Sequence, residues 1–185
     1  PKTSCRASLI CPKCALALPD GVSAMRRLTP RVQGIVFRVQ CAENLRDMWH
    51  RFRLYAEASN ISGEKEPSEE RRLYPRPVEW CDAVVRECKN AGMESEYYIE
   101  KPFVCQDASR GKEGECYYAM NPASRPDSPP DMVLLFETRA GWNQHGGPEL
   151  FTFDNHDPKG GCVLLNDGTV KFIRTEEELK QLRWK

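Results

Sequence analysis

The sequence predicts an α+β protein in which one long N-terminal helix packs on an antiparallel β-sheet, with short accessory helices. Three observations lead to this prediction. Apolar residues recur at helical spacing ahead of residue 60, short β-rich runs follow one another after Gly92, and Asn166-Asp167-Gly168 separates the last two runs. Asp-Gly adopts the positive backbone angles of a tight hairpin turn, so the runs beside it are expected to pair. Helix-rich and strand-rich parts of one chain are typical of the α+β class.

The long helix is predicted over residues 29 to 59. Thr29 and Pro30 suit the N-cap and the first turn of a helix. The apolar residues that follow at three- and four-residue steps are Val32, Ile35, Val36, Val39, Leu45, Met48, Trp49, Phe52 and Tyr55. Arginines and acidic residues lie between them, so this apolar face is expected to be buried against the sheet.

The remaining elements follow in chain order. A second helix is predicted over 75 to 92, and its buried face is expected to carry Val78, Cys81, Val84, Val85 and Cys88. The two cysteines on that face are expected to act as small buried hydrophobes. Extended runs are predicted at 95–106, 116–120, 131–139, 150–153, 162–165 and 169–173. A short helix at 175–185, capped by Thr175, closes the chain.

Composition and charge narrow the class of protein. The formal net charge is +0 over 185 residues, which argues against nucleic acid as a partner. No apolar run reaches the roughly 18 residues that a transmembrane helix needs, so no transmembrane span is predicted. Residues 1 to 60 carry ten Lys or Arg against four Asp or Glu, and this basic N-terminal part can make peripheral contact with anionic lipid or an acidic partner.

The first cysteines of the chain predict a small Cys-rich head over 1–28, ahead of an α+β domain over 29–185. Cys11 and Cys14 are spaced to bind one tetrahedral zinc ion, with Cys5 as a third ligand and Cys41 or a histidine as the fourth. A disulfide or free thiols are the alternatives at these positions.

A disulfide is predicted between Cys105 and Cys116. They flank a polar loop between two extended runs, and a bridge there would clamp the open end of a hairpin. Closing a loop of this length contributes on the order of 3 kcal/mol.

Two further sites are suggested by the turns near the C-terminal hairpin. Asp154, Asp157 and Asp167 offer oxygen ligands in turns, which suits calcium. Cys162 with His156 and Asp154 would be the residues of a hydrolase, but no nucleophile elbow or phosphate-binding glycine motif accompanies them. The sequence therefore predicts a protein that is not an enzyme, with an enzyme using Cys162 or His156 as an alternative.

Several separated stretches resemble the bacterial prepilin-type proteins that carry a His-x9-Asp-Gly motif, common in planctomycetes. They are CAENLRDMWHRFRLYAE, FVCQD followed by CYYAMNP, VLLFETRAGWNQHGG with its Leu-x-Glu run, NHDPKGGCVLLNDGTVKFI and ELKQLRW. Their order and spacing cover residues 38 to 184. Ten residues rather than nine separate His156 from Asp167, and Gln106 stands where the family has proline. A Cys-rich segment precedes the helix in place of the family's apolar helix start.

The resemblance implies a pilin-like or pseudopilin-like fold and a non-enzymatic structural or interaction role in secretion or the cell envelope, with protein partners in a larger assembly. It also implies structural roles for His156, Asp167 and Gly168, with Gly168 supplying the turn and His156 hydrogen-bonding back across the hairpin. The alternative is a cytoplasmic adaptor or regulatory protein whose zinc-stabilised head carries a pilin-like body.

Overall fold

The predicted N-terminal helix is confirmed as α1, Pro30–Ile61, in a computed structural model of the chain. The structure describes residues 30–61, 74–93, 95, 99–105 and 115–185, with α1 side chains from 32 to 57. The head predicted at 1–28, with Cys5, Cys11 and Cys14, lies outside these residues. The fully or nearly fully buried residues of α1 recur at three- and four-residue steps: Cys41, Leu45, Met48, Phe52 and Ala56. The helical periodicity therefore predicted the inner face of this part of α1 correctly.

The prediction was wrong for the first turns of α1. Ile35 and Val39, expected in the core, are 46% and 57% exposed. The helix instead contacts the rest of the protein at buried Gly34. There the backbone carbonyl oxygen of Asp157 occupies the space that a Cβ atom would fill in any other residue. A close contact that depends on glycine having no side chain cannot be predicted from the spacing of apolar residues.

Four strands form an antiparallel meander: β1 (Tyr118–Met120), β2 (Val133–Glu137), β3 (Gly161–Leu165) and β4 (Val170–Ile173). Strand β2 lies between β1 and β3, and all five of its residues are buried. The predicted turn joins β3 to β4, with Gly168 at φ +89°. The α+β class, the long helix and the antiparallel sheet are therefore confirmed.

Two of the predicted extended runs are wrong over the described residues. Lys101–Phe103 is a short 3-10 turn that contains Pro102, a residue that cannot donate to a strand ladder. The run at 150–153 follows another 3-10 turn, Pro148–Leu150, and belongs to no strand. It lies beside the end of β2, where the Thr138 hydroxyl donates to the carbonyl of Leu150 at 2.7 Å.

Both accessory helices form where they were expected. Helix α2, Trp80–Asn90, follows the 3-10 turn Pro77–Glu79, and its Cys81 and Cys88 are buried as predicted. Helix α3 is shorter than predicted, Glu176–Lys180, and the Thr175 hydroxyl accepts from the Glu178 amide, which confirms the cap. No helix in the described part of the chain is both long and apolar enough to span a membrane.

The sheet is covered on both faces. On one face, α1, α2 and the segment around 103–105 enclose the larger apolar core. On the other, the C-terminal segment and residues 150–153 cover a smaller core that includes Phe136, Val163 and Leu179. Because both faces are closed, polar side chains that point inward from the sheet must find their partners inside the protein.

Candidate functional site

Four buried side chains meet where α1 passes the end of β2. Cys41 comes from α1, Cys105 follows the turn at 101–103, Glu137 is the last residue of β2, and His156 precedes β3. Each is at most 4% exposed. Their ligand atoms all lie within 4.8 Å of one another, and within the described ranges this is the one group of three or more such residues suited to a metal ion. We call it the four-residue cluster.

Glu137 and His156 form the polar centre of the cluster. His156 Nε2 lies 2.9 Å from both Glu137 Oε1 and Glu137 Oε2. The same nitrogen is 3.9 Å from Cys105 Sγ, and the Cys105 sulfur is 3.2 Å from Cys41 Sγ. Glu137 Oε2 also accepts a hydrogen bond of 2.5 Å from the Cys162 amide. A charged pair can lie this deep only because the carboxylate has several partners.

Neighbouring residues hold the loop that carries His156. Asn155 is buried, and its side-chain amide donates to the carbonyl of Thr138 at 2.9 Å. The Phe172 ring packs edge-on against the His156 ring, with centroids 5.5 Å apart. The Arg38 guanidinium lies over the outer side of Phe172, 5.0 Å from its centroid. Helix α1 and β4 therefore close the cluster from two directions.

Burial and hydrogen bonding act against each other at His156. Burial lowers the pKa of this imidazole, but hydrogen bonds with Cys105, Cys162 and Glu137 outweigh that effect and raise the pKa to about 12. The hydrogen bond from Cys41 lowers the pKa of Cys105, while the same contact and burial raise the pKa of Cys41. When no other ligand is bound, the raised pKa keeps the His156 imidazole protonated at neutral pH.

Tyr118 adds an unpaired polar group beside the cluster. Its side chain is fully buried in β1, and its hydroxyl makes no hydrogen bond of normal geometry. Burial raises its pKa, as do electrostatic interactions with Cys41 and Glu137, while a hydrogen-bonding interaction with the Asn44 side chain lowers it. The cost of burying an unpaired hydroxyl marks this position as one that a further partner would stabilise.

A second contact joins the other end of β3 to α1. Trp49 Nε1 donates to the Asn166 carbonyl at 2.9 Å, and the Tyr74 hydroxyl donates to Asn166 Oδ1 at 2.8 Å. The Asp167 carboxylate stays in the turn, where it accepts from the Thr169 amide at 2.8 Å. Cys41 and Trp49 are eight positions apart, about 12 Å along the helix axis. One end of the His-to-Asp-Gly segment therefore lies beside Cys41 of α1, and the other end is bonded to Trp49 of the same helix.

Replacing Gly168 with alanine is expected to destabilise the protein by about 2 kcal/mol. Part of this comes from φ +89°, which an ordinary residue adopts at a cost of about 1 kcal/mol. The rest comes from the Trp49 ring, whose atoms would lie 3.1 Å from the added carbon. Urea unfolding measures the loss.

Gly92→Ala is the matched control. Gly92 has φ +82°, yet no atom lies within 4 Å of its Cβ position. We expect the control to lose only the backbone contribution. Equal losses in the two variants would show that the contact with Trp49 contributes nothing.

The residues predicted to bind calcium do not come together. Asp154 is exposed and pairs with Lys159 at 2.8 Å, and the hydrogen bond from that lysine lowers the pKa of Asp154. Asp157 and Asp167 are exposed as well, and the three form no ligand cluster among the described residues. Turn geometry alone accounts for Asp167.

The predicted bridge and the predicted hydrolase site also differ from the structure. Cys105 and Cys116 are free, and the Cys105 sulfur lies against Cys41 instead. His156 takes Glu137 of β2 as its carboxylate rather than Asp154, and its bond does not cross the β3–β4 hairpin as expected. Burial raises the pKa of Cys162 to about 12, which disfavours the thiolate that a nucleophile needs.

Glu137 is the functional residue that the sequence reasoning did not single out. Glu137 ends the run VLLFE, and an acidic residue after four apolar ones predicts the solvent-exposed end of a strand. Its one signal was the Leu-x-Glu run in the family resemblance. Cys41 is predicted as a possible fourth zinc ligand beside Cys5, Cys11 and Cys14, and it is the first residue of the stretch CAENLRDMWHRFRLYAE in the family resemblance.

Comparisons with known proteins identify no relative. No family model, curated protein or solved structure matches this sequence. The resemblance to prepilin-type proteins therefore stays a prediction that rests on the quoted motifs.

Proposed function

We propose that this chain is a non-enzymatic pilin-like or pseudopilin-like module that joins a larger protein assembly at the cell envelope. The observation that carries the proposal is the set of contacts that the motif residues His156, Asp167 and Gly168 and their neighbours make. His156 is buried and bonds to Glu137 at the end of β2, and the turn before Gly168 bonds to Trp49 of α1 through the Asn166 carbonyl. Residues used in this way hold the elements of the fold together, which is the structural role that the family resemblance implies.

The burial of the four-residue cluster argues against a catalytic role for its side chains. A nucleophile or general base must reach its substrate, and Glu137 and His156 have side chains that are both 0% exposed. Their polar atoms face each other, the Cys105 sulfur and the Cys162 amide inside the protein. A function in recognition must therefore use another part of the surface.

The first turns of α1 supply such a surface. Ile35 and Val39 lie one helical turn apart, and both are large apolar residues with about half of their surface exposed, 46% and 57%. Val36 and Gln40 line a groove beside them. A helix face of this kind suits packing against another subunit, since apolar burial is the main driving force for association.

Val39→Asp is expected to reduce recovery of the envelope complex by about tenfold or more, because the introduced carboxylate would lose its water in an apolar contact. The measurement is cross-linking in the source cells, followed by quantification of the chain in high-mass complexes from the envelope fraction. Folding should be unaffected, with a change in the free energy of unfolding below about 0.5 kcal/mol.

Val78→Asp is the control, because Val78 is also 57% exposed but lies ahead of α2, outside this face. It should leave the complex intact. Recovery of the unmodified chain as a monomer in the soluble cell fraction would contradict the proposal.

One observation favours the zinc-stabilised adaptor as a second candidate. All six described cysteines are free and buried, the state in which a reducing compartment keeps thiols. Fractionation separates the two candidates, since the adaptor would be found in the cytosol, bound to a partner there.

A further inference from the structure

We propose that Cys41, Cys105, Glu137 and His156 bind one zinc ion that ties α1 to the sheet. The inference goes beyond the structural role above, because it assigns a ligand to the inside of the helix–sheet junction. It does not depend on assembly at the envelope.

The ligand types suit zinc. Two cysteine sulfurs, one imidazole nitrogen and one carboxylate oxygen are all donors found in zinc sites, and four protein ligands make a closed tetrahedral site. A closed and buried site stabilises a fold and leaves no open position for substrate. Calcium and magnesium prefer oxygen ligands only, so this donor set disfavours them.

The distances suit one ion as well. With metal–ligand bonds of about 2.0–2.3 Å, the ligands of a tetrahedral zinc ion lie about 3.3–3.8 Å apart. The distances here are 3.2 Å between the two sulfurs, 3.9 Å from Cys105 Sγ to His156 Nε2, and 2.9 Å from that nitrogen to the Glu137 oxygens. The other ligand atoms lie within 4.8 Å of one another, so shifts of at most about 1 Å would place the four atoms around an ion.

The hydrogen bonding of the cluster points in the same direction. His156 Nε2 faces three acceptor atoms, the two Glu137 oxygens and the Cys105 sulfur, and an imidazole nitrogen carries at most one proton. A cation at the point where these side chains converge would take one ligand atom from each residue and remove this competition for a single proton. The buried Tyr118 hydroxyl, which makes no hydrogen bond of normal geometry, interacts electrostatically with the cluster, and a further polar partner there would stabilise it.

The position of the four residues explains what the ion would do. They come from α1, from the segment after Phe103, from β2 and from the loop ahead of β3, so the site connects elements that are distant in sequence. Zinc bound only by the folded chain stabilises the folded state. Cys41 is the ligand from α1, so the ion would join this helix to the pair that His156 and Glu137 form.

The test uses the full chain in which Cys5, Cys11 and Cys14 are replaced by serine, so that zinc at the N-terminal cysteines cannot contribute. Native mass spectrometry after incubation with zinc and dialysis is expected to show one zinc ion per folded chain. Cobalt in its place should give the absorption of a tetrahedral site with thiolate ligands.

Variants then locate the ion. Cys105→Ser and Glu137→Gln, each in the same background, are expected to weaken zinc binding by at least about tenfold. Cys88→Ser is the matched control, because Cys88 is a buried thiol on α2 outside the cluster, and it should bind zinc as before. Circular dichroism establishes that each variant is folded, and the cobalt spectrum tests the site without any change to its ligands.

Three results would overturn the proposal. The folded background protein could retain no zinc and show no cobalt–thiolate absorption. Folded Cys105→Ser could bind zinc with unchanged affinity. The native protein could have a Cys41–Cys105 disulfide, with a mass two hydrogens below that of the reduced chain, which would remove both sulfur ligands. None of these results would contradict assembly through the exposed face of α1.

Discussion

Replacing His156 with alanine is expected to lower the free energy of unfolding by about 3–5 kcal/mol, because it leaves the buried Glu137 carboxylate without its charged partner. Both side chains are 0% exposed, so water cannot substitute for the imidazole. The Cys162 amide would remain as a partner, but one backbone hydrogen bond does not balance a buried charge. Urea unfolding with a metal chelator present measures this loss apart from any effect of zinc.

A double-mutant cycle separates the pair from its surroundings. Glu137→Gln removes the charge while it keeps the shape of the side chain, so the double variant His156→Ala/Glu137→Gln should lose less than the sum of the single losses. We expect an interaction energy of about 1–3 kcal/mol between the two positions. Strictly additive losses would show that the two residues contribute independently.

Asp154→Ala provides the control within the same loop. Asp154 pairs with Lys159, and their side chains are 59% and 79% exposed. An ion pair in contact with water contributes little, so the loss should be far smaller than that of His156→Ala. Similar losses for Asp154→Ala and His156→Ala would mean that the loop, rather than the buried pair, determines the effect.

Trp80→Ala is expected to cost about 3–5 kcal/mol through the cavity that it leaves. Trp80 is fully buried in α2, and its ring centroid lies 5.8 Å from that of Phe52 and 5.8 Å from that of Phe103. Its indole nitrogen donates to the Gln144 carbonyl at 2.9 Å, a bond that alanine also removes. Because Phe103 is two positions from Cys105, the variant should also loosen the four-residue cluster.

Trp142→Ala is the matched control for this substitution. The Trp142 ring packs 5.1 Å from Phe103 and its nitrogen donates to Asp82 at 2.8 Å, but the residue is 37% exposed. Removal of a ring that already contacts water should cost about 1 kcal/mol. Unfolding midpoints and the zinc affinity of both variants can be measured on the same samples. Equal losses would show that Trp80 is not central to the core.

Local chemistry explains the parts of the fold that the sequence predicted. The apolar spacing in α1, the Asp-Gly turn and the Thr175 cap each depend on residues within a few positions of one another. Where a local pattern was incomplete, the prediction failed, as at residues 101–103, where a proline-containing turn replaces a strand. The prediction also failed at the exposed Ile35 and Val39, because the spacing of apolar residues predicts an apolar helix face but not which element will pack against it.

Local sequence patterns are enough to predict the class of the fold, its long helix and the turn that ends β3. Which polar residues meet inside the protein depends on how the elements pack. Cys41 and His156 are separated by more than half of the chain, and Glu137 was unremarkable at the end of an apolar run. The register of β2 with β3 brings the Cys162 amide to Glu137, and the packing of α1 on the sheet brings Cys41 to Cys105. Contacts between distant residues depend on how whole elements pack, and no local spacing encodes that arrangement.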